Sequence, residues 1–106
     1  MTEPRDVAFE RSLALHRAVA STIAADPRVL PRARARVAAW QRDADVPARY
    51  ADAWADILGA SEREIAETIV EPSERMHELR QASPFAGALA PRTRWAILRQ
   101  ATKTTP

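Results

Sequence analysis

Proline recurs in this chain at positions 4, 27, 31, 47, 72, 84, 91 and 106, and no piece between these positions shows the period-two alternation of a strand. Proline lacks a backbone donor, so it is tolerated in the first turn of a helix but breaks a helix interior. With only Gly59 and Gly87 to supply flexible turns, the chain reads as short helices separated by proline-marked breaks. A first helix is expected over 6–25, with Leu13, Val19 and Ile23 near helical spacing, ended by Asp26-Pro27. Pro31 suits the first turn of a second helix reaching about Arg42, with Val37 and Trp40 at i, i+3. A third begins near Pro47, carries Tyr50, Trp54, Ile57 and Leu58, and is expected to stop at Gly59, which can take the left-handed C′ conformation. Ser61-Glu62-Arg63-Glu64 is a capping box opening a fourth, through Ile65 and Ile69. Pro72-Ser73 starts a fifth, with Met76 and Leu79, and Pro91 a last short one, with Trp95 and Leu98 on one side. The expected fold is all-α, a compact bundle of five to six short helices.

Seven Leu, six Val, five Ile and two Phe are few large core formers for 106 residues, and Ala fills much of the remaining apolar quota. Ala is the best helix former and carries no side-chain entropy cost, so the core should be thin and lined by closely approaching helices. Such a bundle gains stability from a partner that binds only the folded state. The absence of Cys rules out disulfides, thiolate zinc sites and cysteine nucleophiles. No run approaches the roughly 20 apolar residues of a membrane span. The opening Met1-Thr2-Glu3-Pro4-Arg5-Asp6 lacks a basic region followed by an apolar run. A cytoplasmic protein with no signal peptide and no membrane association is expected.

The net charge of +2 hides a sorted distribution. Residues 1–26 sum to −1, 27–42 to +5, 43–78 to −7 and 79–106 to +5. One reading is intramolecular complementarity, with basic helices packed beside the acidic middle. Another is that the C-terminal basic segment meets an anionic partner or an acidic cleft.

Several patterns invite chemistry. Ala55, Gly59 and Ile65 fall where a helix-turn-helix wants a small residue, a turn glycine and a core aliphatic. Its second helix would bring Glu62, Glu64 and Glu67 towards phosphates with only Arg63 to offset them, which opposes the electrostatic term of DNA binding. The run Arg28, Arg32, Arg34, Arg36 is the better nucleic-acid candidate. Arg32 and Arg36 share a face and Arg34 points elsewhere, but no interleaved aromatics offer base stacking. A solvated helix face explains the run as well. Glu74-x-x-His77 has the spacing of one half of a di-metal site that needs two such pairs. Asp52 and Asp56, one turn apart beside Arg49, fit a solvent face. His16 and His77 lie far apart, and no phosphate-cradling glycine loop or nucleophile–base signature is present. The chain is therefore expected to be no enzyme and to need neither cofactor nor metal.

The most informative stretch is Ser83-Pro84-Phe85-Ala86-Gly87-Ala88-Leu89-Ala90-Pro91-Arg92-Thr93-Arg94-Trp95-Ala96-Ile97-Leu98-Arg99. Two prolines and a glycine give it a defined path, and its large apolar groups stand on a basic, acid-free background. Trp and Arg dominate binding hot spots. A division into a helical domain, 1–82, and a C-terminal partner-binding segment, 83–106, follows. Phe85, Leu89, Arg92, Arg94, Trp95, Leu98 and Arg99 are the candidate contacts, with Phe85, Trp95 and Leu98 as apolar anchors. The same side chains could instead dock on the domain's own core, because a final helix of about ten residues is marginal unless it packs.

That stretch, with Leu15-His16-Arg17-Ala18-Val19-Ala20 and the Arg-Ala-Arg run before Trp40, resembles small helical bacterial antitoxins. These are encoded beside a toxin enzyme and neutralise it by direct binding. The resemblance spans Leu13 to Arg99 and is most specific at 83–98. It implies a cognate toxin protein as partner, with residues from about Ser83 covering the toxin's active site. Weak DNA binding and self-association are the further partner expectations. The alternatives are a small DNA-binding transcriptional regulator, acting through 27–42 or the hairpin at 48–70, and an adaptor subunit of an unrelated complex.

Overall fold

A computed structural model of the chain describes residues 4–103. Residues 1–3, part of the stretch read for a signal peptide, and 104–106, the end of the proposed C-terminal segment, lie outside the described residues. Six helices follow one another: α1 (Pro4–Ala25), α2 (Val29–Asp43), α3 (Ala48–Leu58), α4 (Glu62–Ile69), α5 (Glu74–Arg80) and α6 (Pro91–Lys103). The described residues form no strand, and the fold is an all-α bundle. No helix of the described residues is long and apolar enough to cross a membrane.

The helix boundaries have local causes. Asp26 accepts the Arg28 amide proton at 2.9 Å after α1 ends, turning the chain into α2. Pro31 lies in the first turn of α2, where its missing N–H leaves no hydrogen bond unmade. Ser61 and Ser73 accept the amide protons of Glu64 and Met76, each at 3.2 Å, and so cap α4 and α5. The third helix ends at Gly59 as expected, without use of the left-handed conformation open to glycine. Gly59 stays right-handed at φ −81°, with its N–H turned back to the Asp56 carbonyl at 3.2 Å and that of Ala60 to Ile57 at 3.3 Å. The left-handed cap is at the end of α2, on Ala44 with φ 57°, whose N–H reaches the Trp40 carbonyl at 2.9 Å. The short α3–α4 connection needs only a tightened last turn, whereas the chain leaving α2 must reverse fully.

The long helix α1 is the spine of the bundle, packed against α4, α5 and α6, while α2 packs chiefly on α3. Leu13, Val19 and Ile23 are buried along one stripe of α1, and His16 occupies the remaining inward position. Ala51, Trp54 and Leu58 of α3 face Ile65 and Ile69 of α4 across the core. Trp54 is fully buried and donates from Nε1 to the Leu79 carbonyl at 3.1 Å, so its one polar atom is satisfied. The helix α2 lies beside the acidic α3, but its arginines do not pair with α3 carboxylates. Arg34 donates to the Leu58 carbonyl at 3.0 Å, and Arg28 and Arg42 pair with their sequence neighbours Asp26 and Asp43.

Candidate functional site

The α5–α6 connection, residues 81–90, is held from below. Phe85 reaches into the core, where its ring meets Trp54 edge-to-face at 5.8 Å and His16 at 6.0 Å. Before it, the Ser83 hydroxyl lies 2.8 Å from His16 Nε2. The other ring nitrogen, Nδ1, lies 2.7 Å from the Ser12 carbonyl, which can only accept. Nδ1 therefore carries the proton and Nε2 accepts from Ser83. Burial holds His16 neutral and lowers its pKa from 6.5 to about 4, against the pull of the Ser12 carbonyl and with a small contribution from the Arg80 charge.

A serine hydroxyl and an imidazole at this distance have the outline of a nucleophile and its base. A useful base has a pKa near the working pH, and His16 is far below that, 5% exposed and packed on Phe85. The arrangement fastens the connection to α1. Sequence reading missed the pair because 67 residues separate its members. The local sign was a histidine one turn after Ser12, on the inward stripe of α1.

Arg80 is the second buried polar group, and it too was hidden in a segment that reads as a basic surface. Its Nη1 donates to the Ile69 and Glu71 carbonyls at 3.3 and 2.9 Å, and its Nε donates to Ser12 Oγ at 3.2 Å. A cation placed on the last carbonyls of α4 meets the negative end of that helix dipole. The Phe9 ring lies 5.7 Å from the guanidinium. Desolvation lowers the Arg80 pKa, and Nη2 has no acceptor among the described residues.

The seven residues expected to contact a partner separate into two groups. Phe85 is in the core, and Leu89 and Leu98 are half-buried, towards the molecule. Arg92, Arg94, Trp95 and Arg99 are exposed. Trp95 and Leu98, expected on one side of the last helix, diverge. Ile97, Leu98 and Ala101 face inward against the bundle, leaving Trp95 at 66% exposure on the outer face. Arg92, Trp95 and Arg99 follow at i, i+3, i+7 and form one outward stripe.

On the other side of the 84–90 segment, Arg28 at the N-cap of α2 and Arg32 and Arg36 within it recur at i, i+4, i+8 and line one side of the helix. Between this row and the segment runs a groove of about 760 Å³. Arg36 Nη1 donates to the Ala86 carbonyl at 3.0 Å across it. At its end Arg28 pairs with Asp26 at 3.0 Å, holding that carboxyl at a pKa of about 2. Arg34 points away, to α3, so the division between Arg34 and the Arg32–Arg36 face follows helical spacing.

Other patterns are not brought together. Among the described residues no three His, Asp or Glu side chains are placed to hold a metal ion. His77 stacks at 5.1 Å on Phe9, and Asp52 accepts from Gln41 at 3.0 Å. The outer face of α4 presents Glu62, Glu64 and Glu67, with Arg63 paired to Glu67 at 3.2 Å. Comparison of the chain with protein families, curated proteins and solved structures finds no match in any of the three.

Proposed function

We propose that this chain is a non-enzymatic, antitoxin-like cytoplasmic protein that neutralises a cognate toxin enzyme by binding it through the outer face of α6. The observation that carries the reading is Trp95, a large apolar side chain left 66% exposed on a helix that is otherwise anchored by its inner face. Burying the free part of a tryptophan contributes on the order of 3 kcal/mol to association. Arg92 and Arg99 on the same stripe supply planar donors for carboxylates around such an anchor. Phe85 has a different role from the anchor that the sequence suggests, because it holds the segment in place from within. The partner surface is accordingly the stripe Arg92–Trp95–Arg99 with Arg94 beside it.

The test is a pull-down of the tagged chain from its native lysate, read by native mass spectrometry, for the wild type and for Trp95→Ala. A stoichiometric enzyme that is retained by the wild type and lost by the variant, with far-UV helicity unchanged, supports the reading. Retention of the enzyme by the variant removes α6 from the interface. A homodimer that the variant dissolves makes the occupant a second copy, and DNA that elutes steeply with salt favours the regulator.

A further inference from the structure

We propose that the arginine-lined groove between α2 and the 84–90 segment is a binding site for an extended acidic peptide of a partner protein, distinct from the Trp95 stripe. The two most basic parts of the sequence, 27–42 and 79–106, are separated by an acidic middle, yet the fold makes α2 and the 84–90 segment opposite walls of one groove. Arg28, Arg32 and Arg36 stand one turn apart, about 6 Å along the axis for each four residues, and so form a straight row rather than a cluster. Arg32, in the middle, is exposed, and its guanidinium makes no hydrogen bond or ion pair with a described residue, although its charge helps to hold Asp26 ionised. Among the described residues lining the groove, Asp26 alone carries a carboxylate, at the far end. The opposite wall carries Ala86, Gly87 and Ala88, whose small side chains let a second backbone approach closely. A basic row facing a smooth wall suits an extended chain with carboxylates on one edge. The Arg32 fork offers two parallel N–H donors, while Arg28, whose fork holds Asp26, and Arg36, tied to Ala86, add positive charge on either side.

The same geometry disfavours nucleic acid. A helix reads duplex DNA by entering the major groove. The 84–90 segment stands beside the exposed arginine face of α2, tied to it by Arg36 and Ala86, which leaves room along that face for an extended chain rather than for a duplex. Single strands bind on aromatic platforms. The aromatic residue at this groove is Phe85, which is 7% exposed with its ring engaged by Trp54 and His16.

The experiment is fluorescence anisotropy with two labelled probes, a 12-residue peptide of alternating Glu and Ala and a 12-nucleotide oligothymidylate, titrated with the full chain at low and moderate salt. The expected result is saturable peptide binding that weakens with salt. Arg32→Glu should weaken it by roughly tenfold or more, while Trp95→Ala leaves it within about twofold. Arg32 is exposed, so its substitution leaves the core intact, and an unchanged circular dichroism spectrum verifies this. Tighter binding of the oligonucleotide than of the peptide overturns the proposal, as does peptide binding indifferent to Arg32→Glu or no peptide binding at all. Because the readout uses no toxin and a variant outside α6, failure here is separable from failure of the antitoxin reading.

Discussion

His16 accepts a hydrogen bond from Ser83 across 2.8 Å, and through it the first helix holds the entrance to the last connection. The bond exists only while the imidazole is neutral at Nε2. A doubly protonated ring is a donor at both nitrogens, and it would stand beside Arg80, a cation on the neighbouring helix.

The fold therefore loses stability on mild acidification. In the unfolded chain His16 takes up a proton below its ordinary value of 6.5, and in the fold only below about 4. The contribution is complete above pH 6.5, declines between 6.5 and 4, and levels off below. Its full size is about 3 kcal/mol. Urea midpoints at pH 7.5, 6, 5 and 4 should fall for the wild type and stay flatter in this window for His16→Gln. Equal slopes for the two proteins would show that His16 is not the group responsible.

Arg80→Lys is expected to destabilise the protein by about 2 kcal/mol although it preserves the charge. One ammonium cannot reach Ile69, Glu71 and Ser12 together, so at least one buried acceptor is left without a donor. Denaturation in urea at pH 7.5 reads the loss. A variant as stable as the wild type would mean that the fork geometry contributes nothing.

The two tryptophans at opposite extremes of burial should respond in opposite ways. Trp54→Phe removes a donor from the Leu79 carbonyl and leaves a void in the core, at a cost of about 2 kcal/mol or more. Trp95→Ala lies on an open face and should stay within about 0.5 kcal/mol of the wild type. The same pair of unfolding curves checks both values. A large loss at Trp95 would mean that this side chain also packs within the molecule.

Three backbone positions should change stability with predictable sign. Gly59→Ala should stabilise by about 0.5 kcal/mol, because its φ is ordinary and a Cβ would meet its nearest atoms at 3.5 Å. Gly87→Ala should destabilise by about 1 kcal/mol, because φ is +83° even though the space around a Cβ is open. Ala44→Gly should stabilise by about 0.5–1 kcal/mol by relieving a left-handed alanine. Thermal melts of the three variants test the signs, and a stabilising Gly87→Ala would contradict the described turn.

Most of the fold was legible because its signals are local. Proline breaks, serine caps and the spacing of Trp54, Leu58, Ile65 and Ile69 each act within one or two turns, and the helices fall where those residues place them. The left-handed cap falls on Ala44 and not on Gly59 because residue type sets only a preference for that region, while the path of the following chain decides its use. For the proposed interaction surface, residue type singled out Arg92, Trp95 and Arg99 together with Phe85, and did not show that Phe85 points inward. Inward and outward apolar side chains carry the same composition. The Ser83–His16 contact, the burial of Arg80 and the meeting of α2 with the 84–90 segment all depend on distant pairings that no local pattern encodes.

The spine position of α1 also has a temporal side. Its inward stripe is completed by α4, α5 and α6, which follow it in the chain. During synthesis at roughly 5–20 residues per second, α1 therefore leaves the ribosome several seconds before the surfaces that cover it. Local helix formation takes about a microsecond, so the interval is set by translation rather than by folding. For those seconds Leu13, Val19 and Ile23 form an uncovered stripe on a nascent chain, open to chaperones or to neighbouring copies, and the arrival of α6 closes it.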